Sequence, residues 1–135
     1  MKNILFVCIE NSNRSQMAQA FAKIHGNNKV DAYSAGSKPS GKLNPKAVVA
    51  MAELRYDLSA HTSKATSEYS NMQFEYVVTM GCGDKCPFIP AIHRLDWDIP
   101  DPRNMDTVEF RKVRDLIEIK VKQLVQKIES VKYSI

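Results

Sequence analysis

Cysteine, tryptophan and long apolar runs are all scarce in this 135-residue chain. There are three cysteines and one tryptophan. So few cysteines argue against a disulfide framework and for reactive thiols or, less so, a metal site. No apolar run approaches the length of a membrane-spanning helix, so no membrane is expected as a partner. The opening Met1-Lys2-Asn3-Ile4 enters an apolar strand at once and has no small-residue cleavage site. No secretory leader is therefore expected, and the expected compartment is the cytoplasm. Internal repeats, low-complexity tracts and linkers are missing, which leaves one domain over residues 1–135. The three histidines, His25, His61 and His93, form no cluster and read as structural. Net charge is only +4, and no aromatic-basic interleaving accompanies it. The mild basicity suits an anionic substrate, and nucleic acid is not expected.

Against this background one stretch stands out, Cys8-Ile9-Glu10-Asn11-Ser12-Asn13-Arg14-Ser15. It follows the apolar run Ile4-Leu5-Phe6-Val7 and precedes the helix-forming Gln16-Met17-Ala18-Gln19-Ala20-Phe21. A strand, a short loop and a helix start present backbone N–H groups and a positive dipole end to an anion. Residues Ile9 to Ser15 form the oxyanion cradle, and Arg14 supplies a bidentate fork. The same positive field favours the thiolate of Cys8, the nucleophilic form. The competing reading is a small buried cysteine at a strand end and an exposed arginine. The pattern's position between strand and helix favours the chemical one.

The rest of the chain alternates strands and helices. Strands are expected over residues 3–8, 30–34, 74–80 and 92–95. Helices are expected over 15–25, over 45–54 with Asn44 as cap and Pro45 at its first position, and over 106–132. Ile24 and Leu54 are assigned to buried faces, as are Val48, Leu116 and Val131. Residues 35–41, 81–90 and 97–104 read as loops, and 56–71 as turns with short helix. Such alternation predicts an α/β fold, a parallel sheet covered on both faces, with ligands at the carboxyl ends of the strands.

Two further elements carry chemistry. Cys82 and Cys86, separated by Gly83, Asp84 and Lys85, read as a redox pair, as two inert thiols, or as half a zinc site without its second half. The proline-fixed Asp98-Ile99-Pro100-Asp101-Pro102 offers a carboxylic acid to a leaving oxygen, with Asp98 and Asp101 tied.

Together these residues resemble the arsenate reductases built on the low-molecular-weight tyrosine phosphatase fold. The resemblance runs through the 8–18 stretch, Tyr33-Ser34-Ala35-Gly36, Asn44-Pro45-Lys46-Ala47, His61-Thr62-Ser63, Val77-Val78-Thr79-Met80, Cys82, Cys86-Pro87, Trp97 and Asp101-Pro102. It implies a four-stranded parallel sheet. Cys8 is then the nucleophile, Arg14 the clamp, Asp101 the general acid, and Cys82 and Cys86 the redox cysteines. By the same resemblance a Cys8–Cys82 disulfide forms first and passes to Cys82–Cys86. Thioredoxin or a similar dithiol then resets the enzyme. No cofactor or metal is expected, phosphate and sulfate are expected competitors of arsenate, and the chain is expected to be a monomer.

The chain departs from its relatives in the short gap between Cys82 and Cys86. It also departs in Gln19 and Ser67, matched to places where potassium-binding relatives carry acids. A low-molecular-weight protein-tyrosine phosphatase is the alternative, and an oxyanion-binding module a third. Gln16 after Ser15, and Arg103-Asn104 after Pro102, favour the reductase over the phosphatase, whose members carry proline and aromatics there.

Overall fold

The computed structural model describes residues 1–81 and 89–131, the last without its side chain. Cys82, Cys86, the Val131 side chain and Lys132 therefore lie outside the described residues. Four strands, β1 (Lys2–Cys8), β2 (Val30–Gly36), β3 (Phe74–Thr79) and β4 (Ala91–Asp96), form one sheet in the order β2-β1-β3-β4. All neighbours are parallel, with Cys8 opposite Gly36 and Val7 opposite Thr79. The helices are α1 (Arg14–His25), α2 (Pro45–Ala52) and α3 (Thr107–Val131). Short 3-10 helices span Leu58–Ala60 and Thr66–Tyr69.

β1 is apolar on both faces because it is buried on both. Ile4, Phe6 and Cys8 point into a core shared with α1, α2 and α3, including Met17, Phe21, Met51, Phe110 and Ile117. Leu5 and Val7 point the other way, to Phe74 and Val77 under Tyr33, Tyr69 and Met72. A run of consecutive apolar residues is the expected signature of such a central parallel strand.

Several boundaries differ from expectation for identifiable reasons. β2 continues through Ala35 and Gly36, because these pair with Val7 and Cys8. The α2 helix ends at Ala52, and Arg55 turns the chain with φ 63. Leu54 thus falls past the helix and is exposed, as is Ile24 on the outer side of α1. Val48 and Leu116 are only partly buried at the edge of the core. His25 meets Glu118 at 2.8 Å, which ties the end of α1 to α3. The α3 start is capped by Asp106, whose carboxylate accepts from Glu109 N at 2.8 Å.

Candidate active site

Cys8 ends the central strand, and the chain then wraps a loop whose carbonyl oxygens all face away from one hollow. Those of Cys8, Ile9, Glu10 and Ser12 accept from the backbone N–H groups of Ser37, Lys38, Ser40 and Asn44 at 2.8–3.2 Å. The Asn11 carbonyl accepts from Gln16 Nε2 at 3.0 Å. In a planar trans peptide the N–H points opposite to the C=O. Outward carbonyls therefore turn the N–H groups of Ile9 to Asn13 inward. Arg14, the first residue of α1, follows them, its N–H held by the Asn13 side chain.

The loop needs a left-handed turn at Asn11, φ 52. Asparagine tolerates that conformation better than most residues. The fully buried Asn11 side chain fixes the turn. Its oxygen accepts from Gln16 Nε2 and from Lys64 N, and its amide donates to Ser15 Oγ at 2.7 Å. Behind the loop, a Cβ on Gly36 would lie 2.5 Å from the Ile9 carbonyl. Glycine at the end of β2 thus lets the loop close against the sheet.

Cys8 is a buried free thiol with its Sγ 2.8 Å from Ser15 Oγ. Because Asn11 donates to that hydroxyl oxygen, the hydroxyl hydrogen is available to the sulfur. Arg14 is buried as well. Its Nη1 donates to the carbonyls of Met80 at 2.7 Å and Ile99 at 3.1 Å. This leaves Nε, which has no partner among the described residues, and Nη2. These two N–H groups form the side of the guanidinium that grips two oxygens at once. Gly81, φ +82, makes room here, since a Cβ on it would sit 3.1 Å from Arg14 Nη1.

The loop over residues 97–104 is pinned by the buried Ile99 and by Trp97 N on Thr79 O at 2.8 Å. It brings Asp101 Oδ2 to 3.9 Å from Arg14 Nη2. Asp101 lines the cavity of about 300 Å³ over the loop, together with Cys8, Ile9, Glu10, Ser12, Asn13, Arg14, Lys38 and Arg103. Asp98 is not among its lining residues, although sequence reasoning tied the two. Glu10 extends to Arg103, 2.8 Å away. A larger hollow of about 700 Å³, between residues 66–74 and 89–92, holds none of these groups.

Two residues behind the loop, Tyr56 and His61, were not linked to it from the sequence. His61 Nδ1 lies 3.0 Å from Gln16 Oε1, and Tyr56 Oη lies 2.7 Å from His61 Nε2. Burial, then the Lys23 charge, pushes His61 down to about 4. The ring is therefore neutral, donating from Nδ1 to Gln16 and accepting at Nε2 from Tyr56. Donors run in one direction from Tyr56 through His61, Gln16, Asn11 and Ser15 to the Cys8 sulfur. Gln19 accepts from Ser34 Oγ at 2.6 Å in a side cavity lined also by Lys23 and Lys64. Ser67, matched from the sequence to that neighbourhood, is not in its lining. Among the described residues, no group of three His, Cys, Asp or Glu stands together to hold a metal. No helix among them is long and apolar enough to cross a membrane.

Residues 3–133 match the family model described as low molecular weight phosphotyrosine protein phosphatase. Arsenate reductase 1 of Staphylococcus epidermidis is 37% identical over 131 residues, covering 94% of this chain and 98% of that protein. Glutaredoxin arsenate reductase of Synechocystis is 34% identical over 131 residues, covering 95% and 99%. A solved arsenate reductase in the phosphate binding state superimposes with TM-score 0.86 at 34% identity, covering 95% of this chain and 99% of that one.

Proposed function

This chain belongs to the low molecular weight phosphotyrosine protein phosphatase family, and from that premise we propose that it reduces arsenate to arsenite by a thiol cascade beginning at Cys8. One observation carries the reading. A buried guanidinium, fixed by two backbone carbonyls and with Nε lacking a partner among the described residues, lines the same cavity as the Cys8 thiol. A tetrahedral oxyanion satisfies that donor and the inward N–H groups of Ile9 to Asn13.

The Cys8 thiolate attacks arsenic, and Asp101 gives its proton to the departing oxygen, which leaves as water. The Cys82 thiolate then attacks the Cys8 sulfur. The S–As bond breaks with its electron pair going to arsenic, and arsenite and a Cys8–Cys82 disulfide result. Cys86 attacks Cys82, releasing Cys8 as thiolate and leaving Cys82–Cys86 for a dithiol reductant. Cys82 and Cys86 lie outside the described residues. Their roles are supported by the resemblance and by the short tether to Met80 and Gly81, which border Arg14. Thioredoxin is the reductant this reading favours. Phosphate and sulfate compete for the cradle, and the protein works as a cytoplasmic monomer.

The test is arsenate-dependent oxidation of reduced thioredoxin, run beside glutaredoxin with glutathione, and beside aryl phosphate hydrolysis without reductant. Arsenate-dependent thiol oxidation that is lost in Cys82→Ser is the expected result. Aryl phosphate hydrolysis with no arsenate-dependent thiol oxidation would return the chain to the phosphatase reading.

A further inference from the structure

We propose that the Glu10–Arg103 pair sets the substrate range of this site: Arg103 cancels a carboxylate carried on the anion loop itself, and the pair keeps the mouth fitted to free oxyanions rather than aryl phosphates. The proposal rests on the reading of the cavity as an arsenate site. Arg103 Nη1 meets Glu10 Oε2 at 2.8 Å, and both residues line the cavity that holds Cys8 and Arg14.

Glu10 lies within the turn that cradles the anion, so its charge opposes the ligand. The lining cations are Arg14, Lys38 and Arg103, set against Glu10 and Asp101. With Asp101 carrying the proton it gives up in the proposed reaction and Cys8 as thiolate, three positive charges among the described lining residues face two negative ones. Without Arg103 that positive excess is lost, and the Glu10 carboxylate on the loop faces the incoming anion unopposed. Like-charge opposition at a site rim raises the cost of binding and is screened by salt.

The aryl side of the argument is steric and chemical. With phosphorus in the cradle and the ester oxygen toward Asp101, a ring extending to solvent competes for space with the pair, which joins two lining residues with solvent-exposed side chains. Among the described residues no aromatic side chain lines this cavity to receive it. A free oxyanion has nothing beyond its own oxygens and leaves the pair intact.

Arg103 also touches the proposed acid, since its backbone N–H donates to Asp101 Oδ1 at 3.1 Å. Side-chain removal keeps that contact, so Arg103→Ala isolates the charge. The experiment compares Glu10→Gln, Arg103→Ala and the double variant with the parent protein. The readouts are arsenate KM, protection of Cys8 from alkylation by inorganic phosphate, and kcat/KM for p-nitrophenyl phosphate. Arg103→Ala is expected to raise arsenate KM and the half-protecting phosphate concentration about tenfold, less so at high salt. Adding Glu10→Gln is expected to restore both to within about threefold, and to raise aryl phosphate kcat/KM about threefold or more above the parent.

Full affinity in Arg103→Ala, or a double variant no better than the single one, overturns the proposal while arsenate turnover in the parent keeps the functional reading. An unchanged or lower aryl phosphate kcat/KM in the double variant overturns the exclusion of aryl phosphates. Coupling between the two residues in phosphate protection, in a protein that turns over no arsenate, upholds the charge cancellation and defeats the functional reading instead.

Discussion

Replacing His61 by glutamine should flatten the acid limb of the protein's stability. His61 is neutral in the folded state, pushed down to about 4 by burial and by Lys23. In the unfolded chain a histidine titrates near about 6.5. The folded protein therefore binds this proton less tightly than the unfolded one. The resulting stability is complete above the unfolded value and is lost as pH falls toward about 4. Integrated down to pH 5, a shift of that size removes at most about 2 kcal/mol. The ring is only partly buried, and solvent screening brings the expectation to about 1 kcal/mol.

The structural reason is specific. A protonated ring cannot accept from Tyr56, so the 2.7 Å contact has to reverse, with Nε2–H donating to the phenol oxygen, while the charge sits in a partly buried site and the donation to Gln16 survives. Glutamine offers an amide donor to Gln16 and does not titrate. The assay is urea unfolding at pH 7 and pH 5. The parent should lose about 1 kcal/mol more than His61→Gln between the two, roughly half a molar in midpoint. His25 and His93 are present in both proteins and cancel in the difference. Equal losses, or a larger loss in the variant, would refute the buried neutral histidine and the direction of donors drawn from it.

Asp101→Asn should slow the first chemical step about a hundredfold or more while phosphate still protects Cys8 from alkylation, and Asp98→Asn should leave that step nearly unchanged; single-turnover kinetics decide. Asn11→Ala removes the buried side chain that fixes the left-handed turn, and should cost about 1–3 kcal/mol in urea unfolding together with most phosphate protection. Cys86→Ser should complete one turnover and stop with a Cys8–Cys82 disulfide, and Cys82→Ser should trap no Cys8 disulfide, both read by peptide mapping after arsenate treatment.

Local chemistry made much of this legible in the chain. Ile4 to Val7 reads as a buried strand, Asn44-Pro45 announced a helix start, and the Cys8–Arg14 stretch lies, as expected, between the end of a strand and the start of a helix. What escaped was set by partners distant in sequence. His61 reads as structural because nothing near it says that Gln16, 45 residues away, will meet it. Asp98 and Asp101 have the same local chemistry, and their difference appears only in the fold, where Ile99 is buried between them and Asp101 lines the cavity. Ile24 and Leu54 are apolar at helical spacing, yet one faces outward on α1 and the other follows the last turn of α2. Ser67 is placed beside Gln19 only by the family resemblance, whereas the cavity at Gln19 is lined from the chain around Ser67 by Lys64 and Tyr69.

The two carbonyls that hold Arg14 have a consequence for how the protein is made. They come from Met80 and Ile99, and the strand bearing Cys8 is completed by partners beginning at Val30 and at Phe74. Such contacts join segments tens of residues apart, and closing them is slow compared with forming the local helices. A chain emerging from the ribosome thus carries Cys8 well before it gains the fixed guanidinium, which needs residue 99 free to dock. On the proposed reading, oxyanion affinity belongs to the completed fold, and its appearance during refolding times the docking of the 97–104 loop.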